Sequence, residues 1–422
     1  MKILLSTNFA PSEVMEKNGI IFVNEGWVTG LKNAILRNDG NELVILYPCT
    51  NNRGVVVDTI SDNYICYGYS LKDELDQKQY ILAKMQIESI IRETEPDVIH
   101  LMGSEYPHSL LIYSVCEMLG IQNRVVLSIQ GLISKCAEIY SFGVPKYVKL
   151  GLTICDVYKK ESIRHREREF FERGIYEIKL IEKVSNIIGR TDWDKRICKS
   201  INPIINYYYN GEILRDCFYT NEEWKLDNCK RKLIFIPQAS YPLKGFHIFL
   251  EALAEVVKKI PDAKVIVGGL SPCHSNPIKR NSYGYYISSL LKKKNLENYV
   301  TFVGRMSAEM MKHCYLQANV VVISSVLENS SNAIGEAMIL GVPVVASNVG
   351  GTDSIIDDSV NGLLYPITEP YTMATQIIEI LNDGSLANQL SRNALKKGYK
   401  LHNPQKNISE LLEIYNCLGI ES

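Results

Sequence analysis

A short apolar strand, a turn, an amphipathic helix and then Gly or Pro recur along most of the chain, and no other feature restricts the fold so tightly. Residues 2–8 read as a strand, 26–37 as a helix stopped by Asp39-Gly40, and 42–47 as a second strand. Residues 72–94 read as a helix ended by Glu95-Pro96, 98–102 as a buried strand, and 107–119 as a helix with Pro107 in its first turn and Gly120 past its end. Strands at 124–129 and 186–189 continue the series. Parallel strands need long crossovers, so this rhythm predicts βαβ units and a parallel sheet covered by helices on both faces.

The rhythm falters between about 201 and 232, where tyrosines and polar residues replace clean periodicity, and then restarts. Strands are expected at 232–236, 264–268, 300–303, 320–324 and 343–347, with helices at 245–259, 282–294, 308–317 and 333–340. A chain of 422 residues is too long for one core. The expectation is α/β: two Rossmann-like, doubly wound parallel-sheet domains, 1–205 and 206–400, with a helix in 401–422 packing back on the N-terminal domain. Ligands of such sheets bind at the carboxyl ends of strands, so the halves are expected to face each other across a cleft.

Charge and cysteine usage narrow the function classes. Forty-six Lys and Arg against 47 Asp and Glu give a net charge of −1, so no global field favours nucleic acid. Eleven cysteines, an odd number with no C-x-x-C pair, read as reduced thiols in a cytoplasmic protein. The apolar run in 1–8 is too short for a signal peptide, and no stretch approaches a membrane span. Residues 144–184 carry ten basic and seven acidic residues. Mixed signs read as a solvated helix face. The sharper alternative is a surface for anionic lipid headgroups or a diphosphate-bearing acceptor, a peripheral contact with the inner membrane face.

The run Ser324-Ser325-Val326-Leu327-Glu328-Asn329-Ser330-Ser331-Asn332-Ala333-Ile334-Gly335-Glu336 follows a strand and opens a helix. Asn332 reads as the N-cap, and the free N–H groups around Ala333 and Ile334 suit a phosphate. Two carboxylates beside a diphosphate would repel it unless they accept hydrogen bonds from hydroxyls. A nucleotide sugar, with hydroxyls at both ends of its diphosphate, meets that condition. The plain alternative is that Glu336 decorates the first turns of the helix.

Glu328 and Glu336 form the E-x7-E pattern, and with Glu336–Ser347, Val349-Gly350-Gly351 and Tyr241-Pro242-Leu243-Lys244-Gly245 the sequence resembles the retaining glycosyltransferases of the GT4 type (glycosyl transferases group 1), which have the GT-B fold. The resemblance covers most of 232–366 and is looser in the N-terminal half, where Pro96–His100 carries it; bacterial enzymes of capsular or other surface polysaccharide synthesis are the nearest likeness. It implies transfer of a sugar from a UDP- or GDP-sugar to a glycan or lipid-linked hydroxyl, without a metal cofactor. It also implies that Glu328 holds hydroxyls of the donor sugar, Glu336 those of the ribose, and Lys244 the diphosphate. A cation at a helix N-terminus opposes the macrodipole, which independently suits Lys244 to an anion.

Two departures from the family bear on catalysis. Its usual basic residue ahead of the lysine is replaced at Gln238 and Ala239, leaving Arg305 or Arg190 as substitutes. Gln130 stands where a histidine is common and cannot relay a proton. His108, at a helix start, is the alternative imidazole; His100, inside an apolar strand, reads as core. Gly26, opening a helix after the loop from Asn18 to Glu25, is expected near the donor. Asp192-Trp193-Asp194 matches the D-x-D metal signature of another glycosyltransferase fold, but Asp192 reads as a helix cap, and no metal site is expected. An epimerase or phosphorylase on the same architecture, or a sugar-nucleotide-binding partner with impaired catalysis, remain open beside the transferase.

Overall fold

The computed structural model describes residues 1–17, 19, 26–50, 54–72, 76–274 and 276–418. The chain divides into two compact units: Met1–Ser134 with Glu172–Leu214 and Asn403–Ser422, and Lys135–Phe171 with Arg215–His402.

The first unit is built on eight strands: β1 (Lys2–Ser6), β2 (Glu42–Cys49), β3 (Val56–Ser61), β4 (Tyr64–Ser70), β5 (Val98–Met102), β6 (Val125–Ser128), β7 (Asn186–Gly189) and β8 (Asn206–Tyr209). Their order is β3-β4-β2-β1-β5-β6-β7-β8, and every neighbouring pair is parallel except β3 with β4. Side chains alternate across a strand, and both faces of β1 are apolar because both are covered. Leu4 packs in a cluster with Ile87, Ile90 and Val115, while Ile3 and Leu5 pack in another with Ile35, Leu411 and Ile414. The helix Pro404–Cys417 therefore completes the core of the first unit.

The second unit holds a six-stranded, wholly parallel sheet: β9 (Leu233–Ile236), β10 (Lys264–Gly268), β11 (Val300–Gly304), β12 (Val320–Ile323), β13 (Val344–Ser347) and β14 (Leu363–Tyr365). The order β11-β10-β9-β12-β13-β14 reverses direction between β9 and β12. The loops leaving those two strands flank the topological switch point, where doubly wound sheets bind ligands.

Several boundaries differ from the sequence reading. A division at 205/206 cuts between β7 and its neighbour: β8 pairs with β7 from Asn186↔Asn206 to Gly189↔Tyr209, so the first unit runs on to Leu214. Residues 135–171 fall with the second unit, tied there by Asp156, which accepts the Ser282 N–H at 3.0 Å, and by His247, whose Nε2 meets the Phe142 carbonyl at 2.9 Å. The helix expected from residue 72 is Gln77–Thr94, because the Asp76 side chain caps it by accepting the Lys78 N–H at 2.9 Å. Among the described residues no helix is long and apolar enough to cross a membrane. None of the eleven cysteines is in a disulfide.

Candidate active site

In the second unit, buried β9 runs into Pro237–Tyr241, a single 3-10 turn at Pro242–Lys244, Gly245 and then the helix Phe246–Lys259. Two hydrogen bonds stitch this loop to the one after β12: Val326 N–H to the Leu243 carbonyl at 2.7 Å, and Ser324 Oγ to the Lys244 carbonyl at 2.9 Å. Only glycine fits at 245. Its φ is +63°, and a Cβ there would lie 1.7 Å from the Ser324 carbonyl oxygen.

That stitching brings Lys244 against Glu328. The ammonium lies 2.6 Å from Glu328 Oε1, which also accepts from Ser325 Oγ at 2.7 Å. Burial works against the charge on Lys244, but the Glu328 carboxylate more than reverses this and holds the lysine well above its ordinary value. Glu328 is fixed from behind as well, since its carbonyl accepts the Gly351 N–H at 3.0 Å. Gly350 has φ +56°, and a Cβ on it would lie 2.0 Å from that same carbonyl oxygen. Gly350→Ala is therefore expected to cost about 1–3 kcal/mol from the strained backbone alone, and to displace the Glu328 loop. A denaturant titration checks the first effect; nucleotide release from a sugar donor, falling further than the stability loss explains, checks the second.

Glu336 does not join this pair. It is wholly buried in the helix Asn332–Leu340, where Arg215 reaches its Oε1 through Nη2 at 2.6 Å and Nε at 3.0 Å, and the Tyr315 hydroxyl meets Oε2 at 3.4 Å. Burial pushes the Glu336 carboxyl up, and Arg215 pulls back against it. Arg215 lies in the stretch where periodicity fails, so its only sequence signal is a cation directly after the apolar pair Ile213-Leu214. The helix start also differs from expectation. Ser331, not Asn332, precedes the first turn, without a side-chain cap, and its carbonyl accepts the Ile334 and Gly335 N–H groups at 3.0 and 3.1 Å. The Ile334 amide is thus already bonded, and Asn332 and Ala333 are the amides ahead of the intrahelical ladder. Arg305 is exposed after β11, separated from β9 by β10.

In the first unit the corresponding loops follow β5, β6 and β7. Gln130 and Arg190 meet there: Arg190 Nη1 donates to Gln130 Oε1 at 2.8 Å, and Arg190 also pairs with buried Glu212. His100 is buried, with its ring nitrogens 2.5 Å from the Tyr415 hydroxyl and 2.6 Å from Ser128 Oγ; burial, then Arg190, lower it to about 3, so it stays neutral. His108 is also buried, stacked on Tyr106 at 5.6 Å. Gly26 is the first residue of the helix Gly26–Leu36, while Asn18 and residues 20–25 of the loop before it lie outside the described residues. Thr191, not Asp192, caps the helix Asp192–Ile201, its Oγ accepting the Asp194 N–H at 3.1 Å. Asp194 is buried, bonded to Tyr207 and to the Arg190 N–H. Among the described residues no three metal-ligating side chains gather into a possible site.

The charged run 144–184 is more than a solvated face. Glu177, on the helix Ile163–Lys183, is wholly buried, and its carboxylate accepts from the Ile133 and Ser134 amides at 3.0 and 2.9 Å, Ser134 Oγ at 2.6 Å and Ser104 Oγ at 2.8 Å. It clamps the loops after β5 and β6 together. Nearby, Arg173 stacks on Tyr106 at 3.9 Å and donates to the Glu105 carbonyl at 2.7 Å. Burial, reinforced by Glu177, pushes the Glu105 carboxyl from 4.5 up to about 7. The unfolded chain releases that proton first, so the associated stability is full below pH 4.5 and lost as pH rises through 7. Glu105→Gln is expected to remove this fall, about 3 kcal/mol across the window, as read from melting curves of both chains at several pH values.

Residues 220–397 match the family described as glycosyl transferases group 1. An uncharacterised glycosyltransferase of Methanocaldococcus jannaschii is 27% identical over 359 residues, 84% of this chain and 81% of that protein. Among solved structures, sucrose-phosphate synthase from Thermosynechococcus elongatus superposes with a TM-score of 0.71 at 17% identity, covering 100% of both chains. Anabaena HepE, solved in complex with UDP and glucose, gives a TM-score of 0.67 at 15% identity over 99% of this chain and 100% of that one.

Proposed function

We propose that this chain, whose residues 220–397 match the glycosyl transferases group 1 family and which shares the GT-B fold of its structural neighbours, is a nucleotide-sugar-dependent, retaining glycosyltransferase whose donor diphosphate sits over the β9–β12 junction against Lys244. The observation that carries this reading is the Lys244–Glu328 pair, held at the switch point by two loops that only glycines at 245 and 350 permit. A half-buried ammonium needs an anion, and Glu328 supplies one that keeps it charged. When a diphosphate arrives, Lys244 neutralises its oxygens, most strongly as negative charge grows on the leaving group. Glu328 then accepts from hydroxyls of the transferred sugar, and Glu336, held in place by Arg215, from those of the ribose.

With Glu328 engaged by Lys244 and Ser325 and Glu336 by Arg215, neither carboxylate is offered as a nucleophile, and the step is a front-face displacement. The acceptor hydroxyl attacks on the side the nucleotide leaves, its proton passes to a phosphate oxygen of the departing group, and configuration is retained. The protein contributes position and charge. The structural neighbour with bound UDP supports UDP-sugar over GDP-sugar as donor. We assign the acceptor to a glycan or lipid-linked hydroxyl of surface polysaccharide or glycolipid synthesis, and expect no metal requirement.

The test is nucleotide release from a panel of UDP- and GDP-sugars, with and without membrane lipid extracts, followed by mass spectrometry of the product. Release that survives EDTA, with a new glycoside of unchanged anomeric configuration, is the expected result. Tight donor binding with no turnover on any acceptor favours a sugar-nucleotide-binding partner instead. Donor binding that ignores Lys244→Met and Glu336→Gln overturns the site assignment.

A further inference from the structure

We infer that residues 146–160 dock the second unit on an anionic lipid surface. Six large apolar side chains in this segment, Tyr147, Leu150, Leu152, Ile154, Val157 and Tyr158, are between 63% and 87% exposed. That density of solvated apolar groups marks an interaction surface.

The local fold holds them outward. The short helix Ile154–Lys159 begins with a capping box, in which Thr153 Oγ accepts the Asp156 N–H at 3.1 Å and Asp156 Oδ2 accepts the Thr153 N–H at 2.9 Å. Asp156 Oδ2 also takes the Ser282 N–H at 3.0 Å, and Cys155 Sγ meets the Lys279 carbonyl at 3.3 Å. Cys155 and Asp156 therefore face the protein, while Ile154, Val157 and Tyr158 face solvent on the same turn and a half.

Charge decides the occupant. From 144 to 160 the only acid is Asp156, and it is buried in those bonds. The charges left at the surface are all cationic: Lys146, Lys159 and Lys160 exposed, Lys149 half-buried. Apolar side chains ringed by lysines, with tyrosines among them, suit insertion between lipid headgroups with the ammonium groups on anionic lipid. The chain as a whole is near neutral, so the attraction is local to this segment.

Vesicle flotation of the full chain, without any sugar donor, tests this independently of the catalytic reading. Binding is expected to vesicles of phosphatidylcholine with phosphatidylglycerol, not to phosphatidylcholine alone, and to weaken as salt rises. Lys159→Ala and Lys160→Ala should each lower affinity about fivefold. A Leu152→Ser, Ile154→Ser, Val157→Ser chain should lose binding more than tenfold with an unchanged melting temperature. Equal binding to both vesicle types, no binding to either, or binding indifferent to the serine substitutions overturns the inference. So does a dimer in solution that the serine substitutions disperse, which assigns the surface to a second copy of the chain.

Discussion

Lys244→Met is expected to lower kcat for nucleotide release by about 10²–10³-fold, the usual effect of removing one preorganised group from a developing oxyanion. Methionine keeps most of the aliphatic stem and removes only the charge. Stability should change little, because Glu328, left without its lysine, is half-buried and still holds Ser325. Since residues 237–243 ahead of Lys244 carry no other cation, little else in that loop can take over. Steady-state kinetics beside a melting curve distinguish the cases: a loss of kcat at constant stability supports a role in charge stabilisation, whereas parallel loss of both reduces Lys244 to a structural clamp for the loops after β9 and β12.

Arg215→Ala is expected to cost about 3–5 kcal/mol of unfolding free energy, because it strands a buried carboxylate. The penalty should be larger than for Glu336→Gln, which preserves shape and leaves only a partly exposed guanidinium. Its second effect is on pH dependence. Burial raises the Glu336 carboxyl and Arg215 opposes that rise; without Arg215 the group moves further up and stays protonated over more of the acidic range. Donor affinity in Arg215→Ala should therefore fall more steeply than in the parent chain as pH drops. Calorimetric titration with UDP at several pH values reads this directly. Parallel pH profiles in the two chains would mean that Glu336 does not touch the donor.

How much of this was legible in the sequence depends on the range of the forces involved. Strands such as 98–102, 186–189 and 264–268 were readable to the residue, because parallel strands covered on both faces are mostly apolar and end at Gly or a polar turn. The helices 107–119 and 308–317 were equally plain, one from Pro107 and Gly120 at its ends. The hairpin β3–β4 went unread: it turns at Asp62-Asn63, and β4 draws its burial from β2, not from its own pattern. Motif spacing singled out Lys244, Glu328 and Glu336 as candidates, but Arg215 and Glu212 became visible only through partners 121 residues away or in another loop. Glu177 was misread for a related reason. On a helix rich in both charges nothing local distinguishes the one acid that turns inward to meet four donors.

The first unit is assembled from three stretches of chain, the last of them after residue 402, where Tyr415 closes on His100 and Leu411 and Ile414 fill the core beneath β1. During synthesis the stretch that closes this half follows every part of the other. The second unit has all its parts once residue 402 has emerged, while the earlier half waits with an open apolar face for its closing helix. A premature stop near residue 400 would then spare the lysine-bearing sheet and unravel the sheet built on β1–β8.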